Sequence, residues 1–298
     1  MVATAALILV TAVWGITFVQ VKDAIELYPL VAFLAVRYAI ASAALAPFSV
    51  TRLRTLGRSG LFAGGVLGGL VALGIGLQTA GLARTTVTSA GFITGLYVLF
   101  TPLLALALFR TPIPRELWAA VALALIGLAL LSGVPAGSAI GDFLVLASTV
   151  AQALQIVMVE RYANRYDVFA LTFVQIAVAC VVFFVIAVAL GDLSVPRGAT
   201  VWAALLVTGL FAVAFAYLVQ VWAQRQVSAT RIAIVFSLET VFAGLAGYLF
   251  AGDRIGAVGL AGCAAILAGI VIAEPAAAAT LRRLVGRPEP APGPRPLG

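Results

Sequence analysis

The sequence predicts an all-α membrane protein: ten transmembrane helices, arranged as two inverted five-helix repeats around a central cavity. Three observations lead there. The 298-residue chain is 63% hydrophobic and only 10% charged, with a mean hydropathy of +1.17, more apolar than a soluble domain needs. Its apolar residues come in runs of about 20, the length that crosses a bilayer as a helix, and they do not alternate with polar residues as barrel strands do. The second half also repeats the first at a fixed offset.

The runs follow one another with short connections. The first, Thr4–Val21, has no basic leader and no clear cleavage site before Trp14–Phe18 (WGITF), so it reads as a retained span and not a signal peptide. Leu30–Val50, Leu61–Leu82, Val87–Phe109 and Leu117–Leu131 complete the first five. Phe143–Val159, Phe169–Leu190, Val201–Trp222, Ile232–Phe250 and Ala257–Ala273 form the second five. Domain boundaries are expected at 1–135 and 136–274, with a flexible, Pro- and Arg-rich cytoplasmic tail over 275–298.

Net charge is +7, and every basic residue but Lys22 is arginine. A nucleic-acid binder would gather such charge on one soluble face; here it sits between apolar runs and reports topology. With the N-terminus in the cytoplasm, thirteen arginines (Arg52, Arg54, Arg58, Arg110, Arg115, Arg161, Arg165, Arg225, Arg231 and four in the tail) fall inside. Four basic residues, Lys22, Arg84, Arg197 and Arg254, fall outside. The excess of inside arginines places both termini in the cytoplasm, in a multi-pass inner-membrane protein.

Sliding Gln78–Gly127 forward by 142 aligns it without gaps on Gln220–Gly269, with ten identities in 50 positions. Five spans per repeat is an odd number, so the second repeat enters the membrane upside down. Inverted repeats with a site near the midplane are a mark of secondary transporters.

One carboxylate interrupts the apolar pattern. Glu239, within Phe236–Phe242 (FSLETVF), lies in the middle of a span, where a charge costs roughly 2.5 kcal/mol or more on insertion scales. It is a candidate for substrate binding and for carrying a proton; the alternative is a structural carboxylate paired with an arginine. At the offset of 142 it aligns with Tyr97. Arg37, inside the second span, stays charged when buried and needs an anion. Glu239, a substrate carboxylate or phosphate, and a lipid headgroup are the options.

Other polar side chains recur at helical spacing. Trp14 and Thr17 share one face of the first span, and Thr94 and Tyr97 lie on one face of the fourth with Thr101. Gln152 and Gln155 share a face of the sixth with Ser148; Gln175 pairs with Thr172 in the seventh; Tyr217 and Gln220 share a face of the eighth with Gln224. Gln78 completes the candidate substrate-binding set. A lipid-facing amide would be unsatisfied, so these faces should point inward, either lining a polar cavity or joining helices by hydrogen bonds. Trp14, Tyr97, Tyr217 and Trp222 offer aromatic surface to an apolar or cationic solute. Glycines at four-residue spacing, Gly60, Gly64, Gly68, Gly91 and Gly95, suit close helix packing. Pro102 is expected to kink the fourth span.

Chemistry of other kinds lacks its residues. The chain has no His and only two Cys, both inside spans, and no nucleotide loop or hydrolase motif occurs. No cofactor and no metal are expected, and no enzymatic activity. The expected partners are a small-molecule substrate, the lipid bilayer and candidate protons.

WGITF at Trp14–Phe18, the Arg37-Tyr38 pair, AGFITGLYVLFTPLL at Ala90–Leu104 and FSLETVF at Phe236–Phe242 resemble the EamA-type family of drug/metabolite transporters over Ala3 to Ala273. The resemblance implies two five-helix halves around a central cavity. It also implies transport of amino acids, other metabolites, dyes or drugs, driven by an ion gradient or by the substrate's own. The family pattern around Glu239 often reads Ser-Leu-Glu-Pro. Thr240 stands at the proline position, so the carboxylate carries over and the proline kink does not. The function expected is export of a small amino-acid-like or drug-like metabolite by alternating access. A facilitated-diffusion carrier with a structural Glu239, and a membrane-embedded lipid-processing enzyme, are the alternatives.

Overall fold

A computed structural model describes residues 2–132, 138–250 and 256–273, which are helical apart from short connections. The expected tail at 275–298 lies outside the described residues. In the order of the chain the helices are α1 (Val2–Leu27), α2 (Leu30–Ser49), α3 (Gly57–Leu82), α4 (Val87–Gly95), α5 (Tyr97–Phe109), α6 (Arg115–Ser132) and α7 (Ala139–Ala163). They continue with α8 (Val168–Leu190), α9 (Ala199–Val207), α10 (Ala216–Ala223), α11 (Ala229–Phe236), α12 (Leu238–Phe250) and α13 (Ala257–Ala273). Each of the ten apolar runs is thus helical. Among the described residues, eight helical stretches are long and apolar enough to cross a membrane. Helices dominate because hydrocarbon offers no partner to a backbone N–H or C=O, so each must be satisfied within its own segment.

Three runs are not simple helices. The fourth breaks between α4 and α5 at Leu96, and the ninth breaks between α11 and α12 at Ser237. The eighth passes from α9 to α10 through a π-helical segment, Thr208–Phe215. Pro102 lies inside α5, past the break and not at it. The ninth run breaks although Thr240, and not a proline, stands in its turn. A 3₁₀-type bond from Thr240 N–H to the Ser237 carbonyl (3.3 Å) tightens that turn. The Thr240 hydroxyl also donates to the Gly91 carbonyl at 3.1 Å, tying α12 to α4.

Helix packing follows the small residues. A methyl group on Gly64 or Gly68 would come within 2.6 Å of Val174 or Val178 of α8, and one on Gly15 within 2.7 Å of the α12 backbone. These approaches leave no room for a side chain. The contact of α6 with α13 is reciprocal. A methyl on Gly127 would meet the Gly262 carbonyl at 2.6 Å, and one on Gly269 would meet the Ala120 carbonyl at 2.9 Å. Both pairs are related by the offset of 142. Large apolar side chains such as Phe62, Val181, Val185 and Leu260 stand exposed on the outer faces, as lipid-facing positions do.

One end of the bundle is rich in arginine. Arg52, Arg54 and Arg58 follow α2, and Arg161, Arg165 and Arg225 end α7 and α10. Arg52 meets Asp167 at 3.1 Å, and Arg225 donates to the Ala163 and Tyr166 carbonyls, which fixes these ends side by side.

Candidate functional site

Of the polar side chains at helical spacing, Thr94, Tyr97, Gln155, Gln175, Gln220, Gln224 and Glu239 are all under a tenth exposed, and Gln78 and Gln152 are half-buried. Tyr97, Gln155, Gln220 and Glu239 border one or other of two adjacent chambers, and Thr94, Gln175 and Gln224 stand behind them. The larger has about 60 Å³ of free volume, and its walls include Trp14, Thr17, Arg37, Gln78, Gln152, Tyr217 and Glu239. It reaches Val21 and Leu82, toward the end of the bundle away from the arginines. The smaller has about 20 Å³, bounded by Tyr97, Gln155, Gln220 and Phe236. Trp14, Gln152 and Tyr217 line both and form the partition.

Helix breaks place the central pair. Tyr97 is the first residue after the α4 break, and Glu239 lies two after the α11 break. Across the core the Tyr97 hydroxyl lies 3.1 Å from Glu239 Oε2 and 2.7 Å from the Phe236 carbonyl. That carbonyl ends α11, where a helix has no intrahelical donor left.

The partition is aromatic. Trp14 packs edge-on against Phe236 with ring centres 4.8 Å apart, and stands 6.2 Å from Tyr217. The Trp14 indole N–H donates to the Ala212 carbonyl at 2.8 Å, inside the π-helical segment. π-Helical turns often mark functional positions, and this one orients the indole that divides the chambers.

Below the partition the glutamines form a chain. Gln220 donates to Gln155 at 2.9 Å and to Gln224 at 3.2 Å; Gln155 donates to Gln175 at 3.3 Å; Gln224 donates to the Ile156 carbonyl at 2.7 Å. This network joins α7, α8 and α10 on the arginine-rich side of the small chamber. Gln175 borders neither chamber and enters through Gln155. Thr94 likewise stands behind Gln78, which donates to its hydroxyl at 3.1 Å.

Arg37 is 8% exposed and lines the larger chamber with Glu239. Its Nε has no hydrogen-bond partner, and among the described residues it forms no ion pair within 4 Å. Pairing with Glu239 is therefore not formed in this conformation. Trp222 lines a separate pocket near Arg52 and Arg225 and takes no part in the central chambers. Tyr38, Phe236 and Ala212 join the site without having been singled out for it. Tyr38 and Phe236 sit inside the motifs that carry the family resemblance, but nothing in the sequence marks Ala212. Among the described residues no group of three or more His, Cys, Asp or Glu converges.

The model of the EamA-like transporter family matches residues 1–133 and again 139–273. The chain belongs to this family. It is 31% identical over 270 residues to an uncharacterized transporter of Archaeoglobus fulgidus, covering 89% of this chain and 83% of that protein. A solved crystal structure, 18% identical, superposes with a TM-score of 0.76 over 95% of this chain and 98% of its own. At that identity the match speaks for the fold alone. The protein is a multi-pass membrane protein of a transporter family, which points to transport and not to enzymatic catalysis.

Proposed function

We propose that this protein is a secondary transporter that exports a small metabolite by alternating access. The ten helical runs act as two inverted repeats, related by a pseudo-twofold axis between the breaks at Leu96 and Ser237. The reciprocal glycine contacts of α6 and α13 support that reading, as does the direct contact of Tyr97 with Glu239, its partner at the 142-residue offset.

The positive-inside rule puts the arginine-rich end in the cytoplasm. The larger chamber then reaches outward, and the aromatic partition and glutamine network close the inward path. Substrate would sit between Arg37, Gln78, Gln152, Tyr217 and Glu239. Passage requires the partition to part and the outer end to close, a rocking of one half on the other.

The observation that carries a proton-coupled mechanism is a count of protons. Tyr97 has one hydroxyl hydrogen and two oxygens in reach, the Phe236 carbonyl and Glu239 Oε2. A carbonyl only accepts. Both contacts are hydrogen bonds at once when Glu239 is protonated and donates to the Tyr97 oxygen. When Glu239 is ionised, carboxylate and carbonyl compete for a single hydrogen. Loading and unloading that proton therefore changes the bonding across the two halves, the differential interaction that a two-state equilibrium needs.

The test compares extracellular metabolites of cells producing wild type or Glu239→Gln at matched membrane levels, followed by flux in sealed liposomes with and without a pH gradient. Wild type should release a compound that the variant retains, and the gradient should drive it. Equal, gradient-independent flux in both would favour the facilitated-diffusion reading, in which Tyr97 simply holds a structural carboxylate. Turnover of a substrate in detergent, with no sealed compartment, would mean an enzyme.

A further inference from the structure

A third cavity lies apart from the central chambers, at the arginine-rich end, and is the roomiest of the three at about 340 Å³. Its floor is apolar, formed by Val168 and Phe169 at the start of α8 and by Leu218, Val219 and Trp222 of α10. Its rim holds Arg52, Arg225 and Asp167. Two guanidinium groups against one carboxylate leave the rim net positive.

Both cations are held in place. Arg52 Nη1 lies 3.1 Å from Asp167 Oδ2, and its guanidinium carbon stands 4.9 Å from the centre of the Phe169 ring. Arg225 donates through Nε to the Ala163 carbonyl at 2.8 Å and through Nη2 to the Tyr166 carbonyl at 3.0 Å. A guanidinium has five N–H donors, so each arginine retains donors beyond these bonds. Phe48, 60% exposed, packs against Phe169 with ring centres 6.1 Å apart and adds exposed apolar surface beside the pocket.

An apolar floor beneath a rim of two arginines, with the exposed Phe48 packed beside it, fits an amphiphile with an anionic head. A soluble phosphate ester would satisfy the rim and leave the floor bare. We propose that this pocket binds an anionic phospholipid, with the phosphate between Arg52 and Arg225 and an acyl chain along Val168, Leu218 and Val219. The charge recognition is that of basic pockets at the cytoplasmic ends of membrane helices. The site is independent of what the central chambers carry.

The test is native mass spectrometry of the detergent-purified protein with equal amounts of phosphatidylglycerol and phosphatidylcholine. Wild type should retain phosphatidylglycerol in preference. Arg52→Gln should weaken that adduct on the order of fivefold, the effect of one cation near an anionic headgroup, while Arg52→Lys keeps it. Val219→Trp, which fills the trough and leaves both arginines, should lose it too. Equal retention of the two lipids by wild type would overturn the proposal. So would loss in Arg52→Gln with full retention in Val219→Trp, since that describes a bare cationic surface. Retention in Arg52→Gln would mean that charge is not read, and displacement by millimolar glycerol phosphate would mean a soluble ester is the ligand.

Discussion

At Leu96 the chain leaves α4 for α5 with φ −65° and ψ −9°, and at Ser237 it leaves α11 for α12 with φ −59° and ψ −16°. The two breaks use nearly the same backbone geometry and meet in the core. Their side chains differ in kind. After the first break stands Tyr97, a neutral phenol; after the second stands Glu239, a carboxyl group that can change its charge. The same backbone device thus occurs in both halves of the chain, with a phenol after one break and a carboxyl group after the other. In the proposed proton-coupled mechanism, what the halves share positions the groups and what distinguishes them supplies the switch.

The largest effect should come from removing the ionisable member. Glu239→Gln keeps the shape and the hydrogen-bond contact with Tyr97, yet should cut pH-gradient-driven flux by roughly two orders of magnitude, the scale of losing a positioned proton-transfer group. Liposome flux measures it, and full gradient-driven flux in the variant would break the comparison.

Next is the seam that carries the second break. Gly15→Leu would drive a side chain into Phe242 and the α12 backbone. It should lower stability by about 1–3 kcal/mol, as overpacking does, visible as a lower melting temperature in detergent. Gly65→Ala, on the same kind of residue with open space around it, should melt like wild type.

Tyr97→Phe tests the neutral half. It removes the hydroxyl and leaves the Phe236 carbonyl and Glu239 facing no donor, a loss of about 1–3 kcal/mol. Flux should fall roughly tenfold or more by the same arithmetic, and the pH dependence of flux should shift, which a purely structural tyrosine would not cause. The smallest effect should follow Thr240→Ala. That substitution deletes one bond to the Gly91 carbonyl, worth about 1 kcal/mol, and a melting curve will register it with little change in flux.

Much of this was legible in the sequence because membrane burial is a stringent filter. Glu239 could be picked out since a charge within an apolar run has few reasons to persist, and Tyr97 followed from the offset of 142. The glutamine faces were readable from helical spacing, since an amide must avoid lipid. Trp222 shows the limit. Its residue type matched Trp14, but helix rotation aimed it at the pocket beside Arg225. Arg37 was recognisable as a buried cation, whereas its lack of an ion pair depends on where α2 and α12 settle.

The sequence by itself determined the membrane class, the helical runs, the offset repeat and the residue types available to a site, because hydropathy and charge act locally and leave a pattern in the chain. Only the tertiary structure decided three things. The ninth run breaks at Ser237 without proline, and Thr240 finds a partner on α4. The eighth run winds as a π-helix over Thr208–Phe215, where the Ala212 carbonyl receives the Trp14 indole. The Tyr97 hydroxyl comes within 3.1 Å of Glu239 Oε2. Each depends on an atom contributed by a distant helix, and no local pattern of side chains encodes a partner that packing alone brings within reach.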